Sequence, residues 1–396
     1  MGEEKRRTSQ AQYFAWKKKL RRRRKRRKLL LIYFLKRRKK VAVLKRTIIK
    51  VEKIRITPME GLAILVGTQV GAGVLGLPYA ASRVGLLPAI FVLFGIMLLM
   101  LFTALIVLDF SASMHGAQMS TVAENVLGKA GGWIMYASIA LMSFGALLAY
   151  VAGMGSVFSQ LFGIEKSLGA AIFWVIASII IYAGVEASGK TELIMNYLML
   201  ALFIGVVVLL VPHAKLSNAL YVDLSGILSM VGISIFALGC HTVIPDVYKA
   251  IGSYKKTKKV VIASFLIPAI LYAIFMASFL LVFGKNAPQI ATQGLQEIYG
   301  KTGVIIGNII PLLAITTSYI GVGLAQQSNS KEFLKLKKPI AWSITTIPPL
   351  LVYFAGIKNF ADVLAFAGDT GDMAAFIILP IVIWVVGKYK KKIKIK

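Results

Sequence analysis

The chain has 396 residues, 57% of them hydrophobic, with a mean hydropathy of +0.74 and a formal net charge of +31. That balance excludes a water-soluble globular domain, and the lone cysteine, Cys240, excludes an internal disulfide framework and a cysteine–histidine metal cluster. The charge is concentrated, because residues 1–55 hold 24 of the 47 lysines and arginines. A basic arm (1–56) therefore precedes an apolar core (57–386) and a short basic tail (387–396).

The arm carries blocks such as Lys17–Lys19 and Arg21–Lys28, and such a cytoplasmic polybasic segment is expected to be drawn to anionic lipid headgroups. Tyr13, Phe14 and Trp16 lie among the basic runs, yet no folded recognition module is visible, and nucleic acid is not the expected partner. The apolar run Leu29–Leu35 is too brief to span a bilayer and lacks a cleavage site, so it does not read as a signal peptide.

The core reads as ten apolar helices, at 60–80, 88–111, 133–162, 169–187, 191–212, 226–250, 260–284, 302–325, 339–356 and 361–386. The loops after spans six and eight and the tail are rich in lysine, whereas the loops on the opposite side carry one or two basic residues each. This is the positive-inside pattern. It implies a multi-pass protein of the cell membrane, with an even number of spans and both termini cytoplasmic.

Two spans are irregular. The first contains Gly67-Thr68-Gln69-Val70-Gly71-Ala72-Gly73-Val74-Leu75-Gly76, where four glycines weaken a helix that the bilayer should favour. The sixth contains Ala237-Leu238-Gly239-Cys240-His241-Thr242-Val243-Ile244-Pro245. Non-helical backbone at membrane depth persists only where it is buried in protein or lines a polar cavity. Spans one and six are five apart. Five is odd, so the second set of five (about 226–386) must run inverted to the first (about 60–212). Paired interruptions at matching positions of two such halves point to a transporter's binding site.

At these residues the chain resembles the amino-acid/auxin permease group, and within it the bacterial aromatic amino-acid (tryptophan and tyrosine) permease branch. The resemblance rests on Gly67–Ala80, on Phe236–Gly252 with Gly239, His241, Ile244 and Pro245, and on Ala314–Leu324, and it covers most of residues 57–386. The basic arm, and ten spans rather than the eleven of many relatives, depart from that pattern. The resemblance implies an all-α, leucine-transporter-like fold with a 5+5 inverted repeat. Spans one, two, six and seven would form a bundle that moves against spans three, four, eight and nine, with five and ten as gates. It also implies a secondary active symporter for aromatic or large neutral amino acids.

An amino acid presents a carboxylate, an ammonium and a side chain. Broken-helix amides at Gly71, Ala72 and Gly73 suit the carboxylate, and carbonyls of Val70, Phe236 and Ala237 suit the ammonium. Gly239 belongs to the same second break. By resemblance, the Tyr150 hydroxyl would help close the carboxylate site. Phe144, Phe236 and Tyr319 are candidates for the side-chain pocket. By resemblance again, sodium would sit between spans one and eight on Gly67, Val70, Ala314, Thr317 and Ser318. If the coupling ion is a proton, His241 is the candidate relay, being ionisable inside a span. Asp369 and Asp372 could serve a gate or a proton path. No organic cofactor and no resident metal are expected. No nucleophile motif or phosphate loop marks an enzyme. The rival readings are a transceptor or scaffold that binds without flux, and a channel.

Overall fold

The computed structural model describes residues 56–184 and 189–389. The basic arm up to residue 55 and the tail from residue 390 lie outside these residues. Every described element is helical, and no strand occurs among the described residues.

Ten helical segments follow in the expected order. Span one is the pair Pro58–Gln69 and Gly73–Ser82, bent by 48° at its break. Spans two to five are Leu86–Ser113, Lys129–Phe162, Lys166–Ala183 and Gly189–Leu210. Span six is the pair Ile227–Ala237 and Ile244–Ile251, and span seven is Tyr254–Phe283. Span eight, Leu295–Phe333, is interrupted at Gly300 (φ 55°), and span nine is Lys338–Phe354. Span ten starts as Phe360–Ala367, widens into a π-helix at Gly368–Ile378 and ends as Leu379–Tyr389. An amphipathic helix not foreseen in the sequence, Met119–Leu127, joins spans two and three.

Among the described residues, spans two to five, seven, eight and ten are each long and apolar enough to cross a membrane, and the bent pair of span one makes eight. The halves of span six and the 17 residues of span nine are shorter. Span six is cut in two by its own break. Large side chains such as Phe91 (76% exposed) and Leu228 (73%) face outward, an arrangement that suits lipid and not water.

Local chemistry fixes where the breaks fall. Thr57 and Glu60 form a reciprocal capping box, and Pro58 occupies the first turn, so span one starts sharply at its polar end. Pro245 stands in the first turn of the second half of span six, where its missing N–H costs nothing.

Packing divides the spans into two groups. Spans three, four, eight and nine pack against one another. Span one packs on five, six and seven, and span two on six and seven. Span ten lies between the groups, touching both three and six. The bundle and scaffold implied by the resemblance are thus the groups that the contacts define. On one rim, Arg83 at the end of span one pairs with Asp362 of span ten at 3.0 Å, both about half exposed.

Candidate substrate site at two helix breaks

The first break begins where Val70 leaves helical geometry (φ −77°, ψ 60°), and the helix resumes at Gly73. The freed amides are not left open. Gly71 N–H turns back to the Gln69 carbonyl at 2.7 Å, and Ala72 N–H donates to the Ser318 hydroxyl of span eight at 3.3 Å. In this conformation, therefore, two of the three amides expected to wait for a carboxylate are engaged within the protein. The reason is general: a buried orphan N–H is costly, so a closed site satisfies it internally.

The second break is satisfied in the same way. The Ala237 carbonyl accepts from the Tyr272 hydroxyl of span seven at 3.1 Å, and the Phe236 carbonyl accepts from Gly239 N–H at 3.1 Å. The Leu238 carbonyl accepts from the Gln69 amide at 3.1 Å, and the same Gln69 nitrogen lies 3.2 Å from Cys240 Sγ. A carbonyl has two lone pairs, so each of these oxygens can accept again. Gln69 thus ties one break to the other. The sequence reading missed it, although a glutamine next to glycines in an apolar run is itself a signal.

The two breaks touch at Gly73. A Cβ there would lie 3.0 Å from Ala237 Cα and 3.1 Å from the Phe236 ring. Gly71 faces Ser318, with a Cβ there falling 2.5 Å from the hydroxyl oxygen. Tyr150 is buried beside them. Its hydroxyl neighbours Ser318, and its ring meets Phe236 edge-on with centroids 6.5 Å apart. Ala72, Ser318, Tyr150, Phe236 and Ala237 therefore form one cluster, with Phe144 half-buried on the same span as Tyr150.

Other expected site residues lie elsewhere. Tyr319 is fully buried against span four, its hydroxyl 3.2 Å from that of Ser178 and its ring edge-on to Phe173. One step along a helix turns a side chain by about 100°, so Ser318 reaches the break and Tyr319 reaches the scaffold. Thr317 donates to its own helix, at Leu313 (2.9 Å) and Ala314 (3.2 Å). The Thr317 hydroxyl and the Ala314 carbonyl thus bond to each other in this conformation, and the hydroxyl oxygen keeps its lone pairs. Gly67 is a packing position: a Cβ there would meet Asn196 of span five at 2.5 Å, and Asn196 donates to the Ala63 carbonyl at 2.6 Å. Gly239 packs on the Phe376 ring of span ten, 3.0 Å from where a Cβ would stand.

His241 is fully buried. One ring nitrogen is 3.0 Å from the Thr103 hydroxyl of span two, and the ring stacks on Phe376 at 4.7 Å. Its Nδ1 has no partner. The ring thus sits in an aromatic cluster, with Phe265 edge-on to it at 5.9 Å. Asp246 and Asp362 stand exposed at span ends, paired with Lys249 and Arg83, as their terminal positions imply. Asp372 does not: it is 1% exposed, and neither carboxylate oxygen has a partner. No cluster of three or more His, Cys, Asp or Glu suited to a metal ion occurs among the described residues.

The Gln69 tie can be tested through Cys240, the sole cysteine, which is buried beside it. Gln69→Ala is expected to raise the rate of maleimide labelling of Cys240 by about tenfold. A lost buried hydrogen bond is worth about 1–1.5 kcal/mol, and about 1.4 kcal/mol is a factor of ten. An unchanged rate would show that the tie does not hold the breaks together.

Residues 56–396 match the model of the tryptophan/tyrosine permease family. The chain is 27% identical over 352 residues to tyrosine-specific transport system 1 of Haemophilus influenzae, covering 81% of this chain and 86% of that protein. It is 25% identical over 324 residues to glutamine transporter 2 of Aliivibrio fischeri, covering 77% and 83%. It is 22% identical over 361 residues to the tryptophan-specific transport protein of Haemophilus influenzae, covering 81% and 85%. Among solved structures it is similar to MhsT in complex with L-phenylalanine, with a TM-score of 0.63, 14% identity and coverage of 84% and 89%. It is also similar to Mhp1, a nucleobase-cation-symport-1 family transporter in a closed conformation with bromovinylhydantoin bound, with a TM-score of 0.58, 16% identity and coverage of 80% and 76%. These two likenesses establish the leucine-transporter-like fold.

Proposed function

This chain belongs to the tryptophan/tyrosine permease family, and from that premise we propose that it is a secondary active carrier importing aromatic or large neutral amino acids across the cell membrane by alternating access. It is a multi-pass membrane protein and an amino-acid transporter by family, not an enzyme. The observation that carries the mechanism is the meeting of two interrupted helices at Gly73 and Ala237. The named substrates of the relatives, tyrosine and tryptophan, support an aromatic substrate; the glutamine transporter among them extends the range to other neutral side chains.

The proposed binding step is an exchange of partners. The substrate carboxylate takes the Ala72 amide from Ser318 and gains Gly71 and Gly73 N–H as the break opens, at the positive end of the resumed helix. The ammonium takes the second lone pairs of the Phe236 and Ala237 carbonyls, with Val70 on the facing break. Tyr150 closes over the carboxylate, and Phe144 and Phe236 line the side-chain pocket. Gly71 and Ala72 N–H and the Phe236 and Ala237 carbonyls already have partners within the protein in this conformation. Substrate therefore replaces existing hydrogen bonds, and opening leaves no donor stranded. Tyr319, packed on Phe173 and Ser178, braces the scaffold instead of reading the substrate. The lysine-rich loops after spans six and eight support a cytoplasmic position for both termini. There the basic arm would lie against anionic lipid headgroups.

The decisive experiment is uptake of a panel of labelled amino acids into proteoliposomes under separately imposed sodium and proton gradients. Saturable accumulation of tyrosine or tryptophan is expected. Binding of an aromatic amino acid without flux, in vesicles shown to hold folded protein, would replace the carrier reading with a receptor one.

A further inference from the structure

We infer that Gln69 is the residue that selects α-amino acids at this site. Its side-chain oxygen, sealed in without a donor, accepts an N–H of the substrate ammonium, and α-hydroxy and α-keto acids with the same side chain are turned away. This rests on the amino-acid reading above and deepens it, adding a side chain to an ammonium seat otherwise made of backbone carbonyls.

Gln69 is the last residue of the first half of span one and is 2% exposed. Its amide nitrogen donates to the Leu238 carbonyl at 3.1 Å and lies 3.2 Å from Cys240 Sγ. A carbonyl only accepts, so the amide nitrogen must face Leu238 and the amide oxygen must face away from it. That oxygen has no hydrogen-bond partner. A buried acceptor left unmet is costly and uncommon, so a group held in that state calls for a physical reason.

The side chain lies where the carbonyls proposed for the ammonium converge. Val70, its neighbour in the chain, opens the first break. Leu238, its partner, directly follows Ala237 in the second break, and Gly73 meets Ala237 across the gap. In an α-amino acid a single carbon separates carboxylate from ammonium. With the carboxylate on the amides of residues 71–73, the ammonium falls among the break carbonyls, and the tip of the substrate side chain lies beyond them. An ammonium carries three N–H donors and no acceptor. The second lone pairs of the Phe236 and Ala237 carbonyls take two of these donors. The third faces the first break, where Gln69 Oε1 and the Val70 carbonyl share it.

A neutral amide oxygen suits this role. It gives the ammonium a charge-assisted bond without burying a charge of its own. A hydroxyl in the ammonium's place has one donor, and a keto oxygen has none, so either leaves buried acceptors unmet. A site built to hydrogen-bond a polar group rejects the analogue lacking it far more strongly than a site that reads shape alone. Closure over an empty site has the same defect, because Oε1 then stays without a donor, as it does here. The substrate amine is thus the group that makes closing favourable, by meeting an acceptor that only the closed site seals in.

The test measures binding to the full chain without a gradient, by displacement of labelled tyrosine. The competitors are tyrosine and its α-hydroxy analogue, which share the carboxylate and the phenol ring. Gln69→Met keeps the length of the side chain and removes its donors and its acceptor; Gln69→Leu stands in if Gln69→Met fails to insert. The substitution is expected to weaken tyrosine about tenfold more than the hydroxy analogue, because hydrogen bonds to charged groups exceed neutral ones. Loss of the Leu238 tie alone would weaken both ligands by one factor. Factors equal within about twofold would therefore overturn the proposal and leave Oε1 to a water molecule. If the analogue does not displace tyrosine from wild type, Gln69→Glu decides, since it keeps oxygen acceptors and gives up the N–H donors. It is expected to bind tyrosine about tenfold more tightly than Gln69→Met, and equal or weaker binding would overturn the proposal. Binding needs no flux, so the expected pattern without transport would sink the carrier reading alone. A folded wild-type protein that bound neither tyrosine nor tryptophan would remove the substrate reading, and this inference with it.

Discussion

Gly73→Val is expected to lower transport by at least about a hundredfold while leaving an inserted, helical protein. The added Cβ would stand 3.0 Å from Ala237 Cα and 3.2 Å from Ala237 Cβ, and its branches would press on the Phe236 ring. Phe236 can rotate; a Cα cannot. Relief must come by moving the two breaks apart, which shifts the Ala237 and Leu238 carbonyls away from Tyr272 and Gln69. Overpacking of this kind costs about 1–3 kcal/mol, and a 1 Å error in a positioned site can cost about a hundredfold in rate. The bundle itself is held by long stretches of helix contact elsewhere, so insertion survives where alignment does not. Comparing initial uptake of tyrosine in wild-type and variant proteoliposomes at matched protein content checks this. Uptake within about threefold of wild type would mean that the breaks do not need to meet.

The position of this site was legible from the sequence to an uneven degree, and the reasons are physical. Hydropathy is a sum over some twenty residues, so ten spans could be counted without knowing any contact. Helix breaks also announce themselves locally, because Gly71 and Gly73 in an apolar run, or Gly239 followed by Pro245, oppose what the bilayer favours. What the breaks then do with their freed groups depends on partners remote in the chain. Ser318, Tyr272 and Gln69 could not be assigned to Ala72, Ala237 and Leu238 without knowing how each helix is rotated. Rotation separated the neighbours Thr317, Ser318 and Tyr319, sending the first to its own backbone, the second to the break and the third to span four. The same ambiguity hid Asp372. Gly368-Asp369-Thr370-Gly371-Asp372 reads as a weak, polar stretch of helix, and only the packing of its glycines on spans three and six shows which aspartate is sealed in.

That packing carries the second large effect. Gly368→Ala is expected to lower the thermal midpoint of the purified protein by about 6–12 °C, taking a cost of about 3 kcal/mol and roughly 2–4 °C per kcal/mol. The Cβ would fall on the Gly232 carbonyl oxygen and lie 2.5 Å from its carbon. Both walls of the contact are backbone, because Gly232 in turn has no room for a side chain against Ala365 and Asp369. No rotamer change can absorb the methyl group. In a membrane, where apolar surface gains little by leaving lipid, such close backbone approach is a main source of helix–helix attraction. The control is Gly95→Ala in span two, where a Cβ meets nothing within 4 Å. There the higher helix propensity of alanine, worth about 1 kcal/mol, should leave the midpoint unchanged or raise it. Equal midpoints for the two variants would show that spans six and ten are not in backbone contact. The π-helical run would then be free to turn Asp372, which is buried here, toward water.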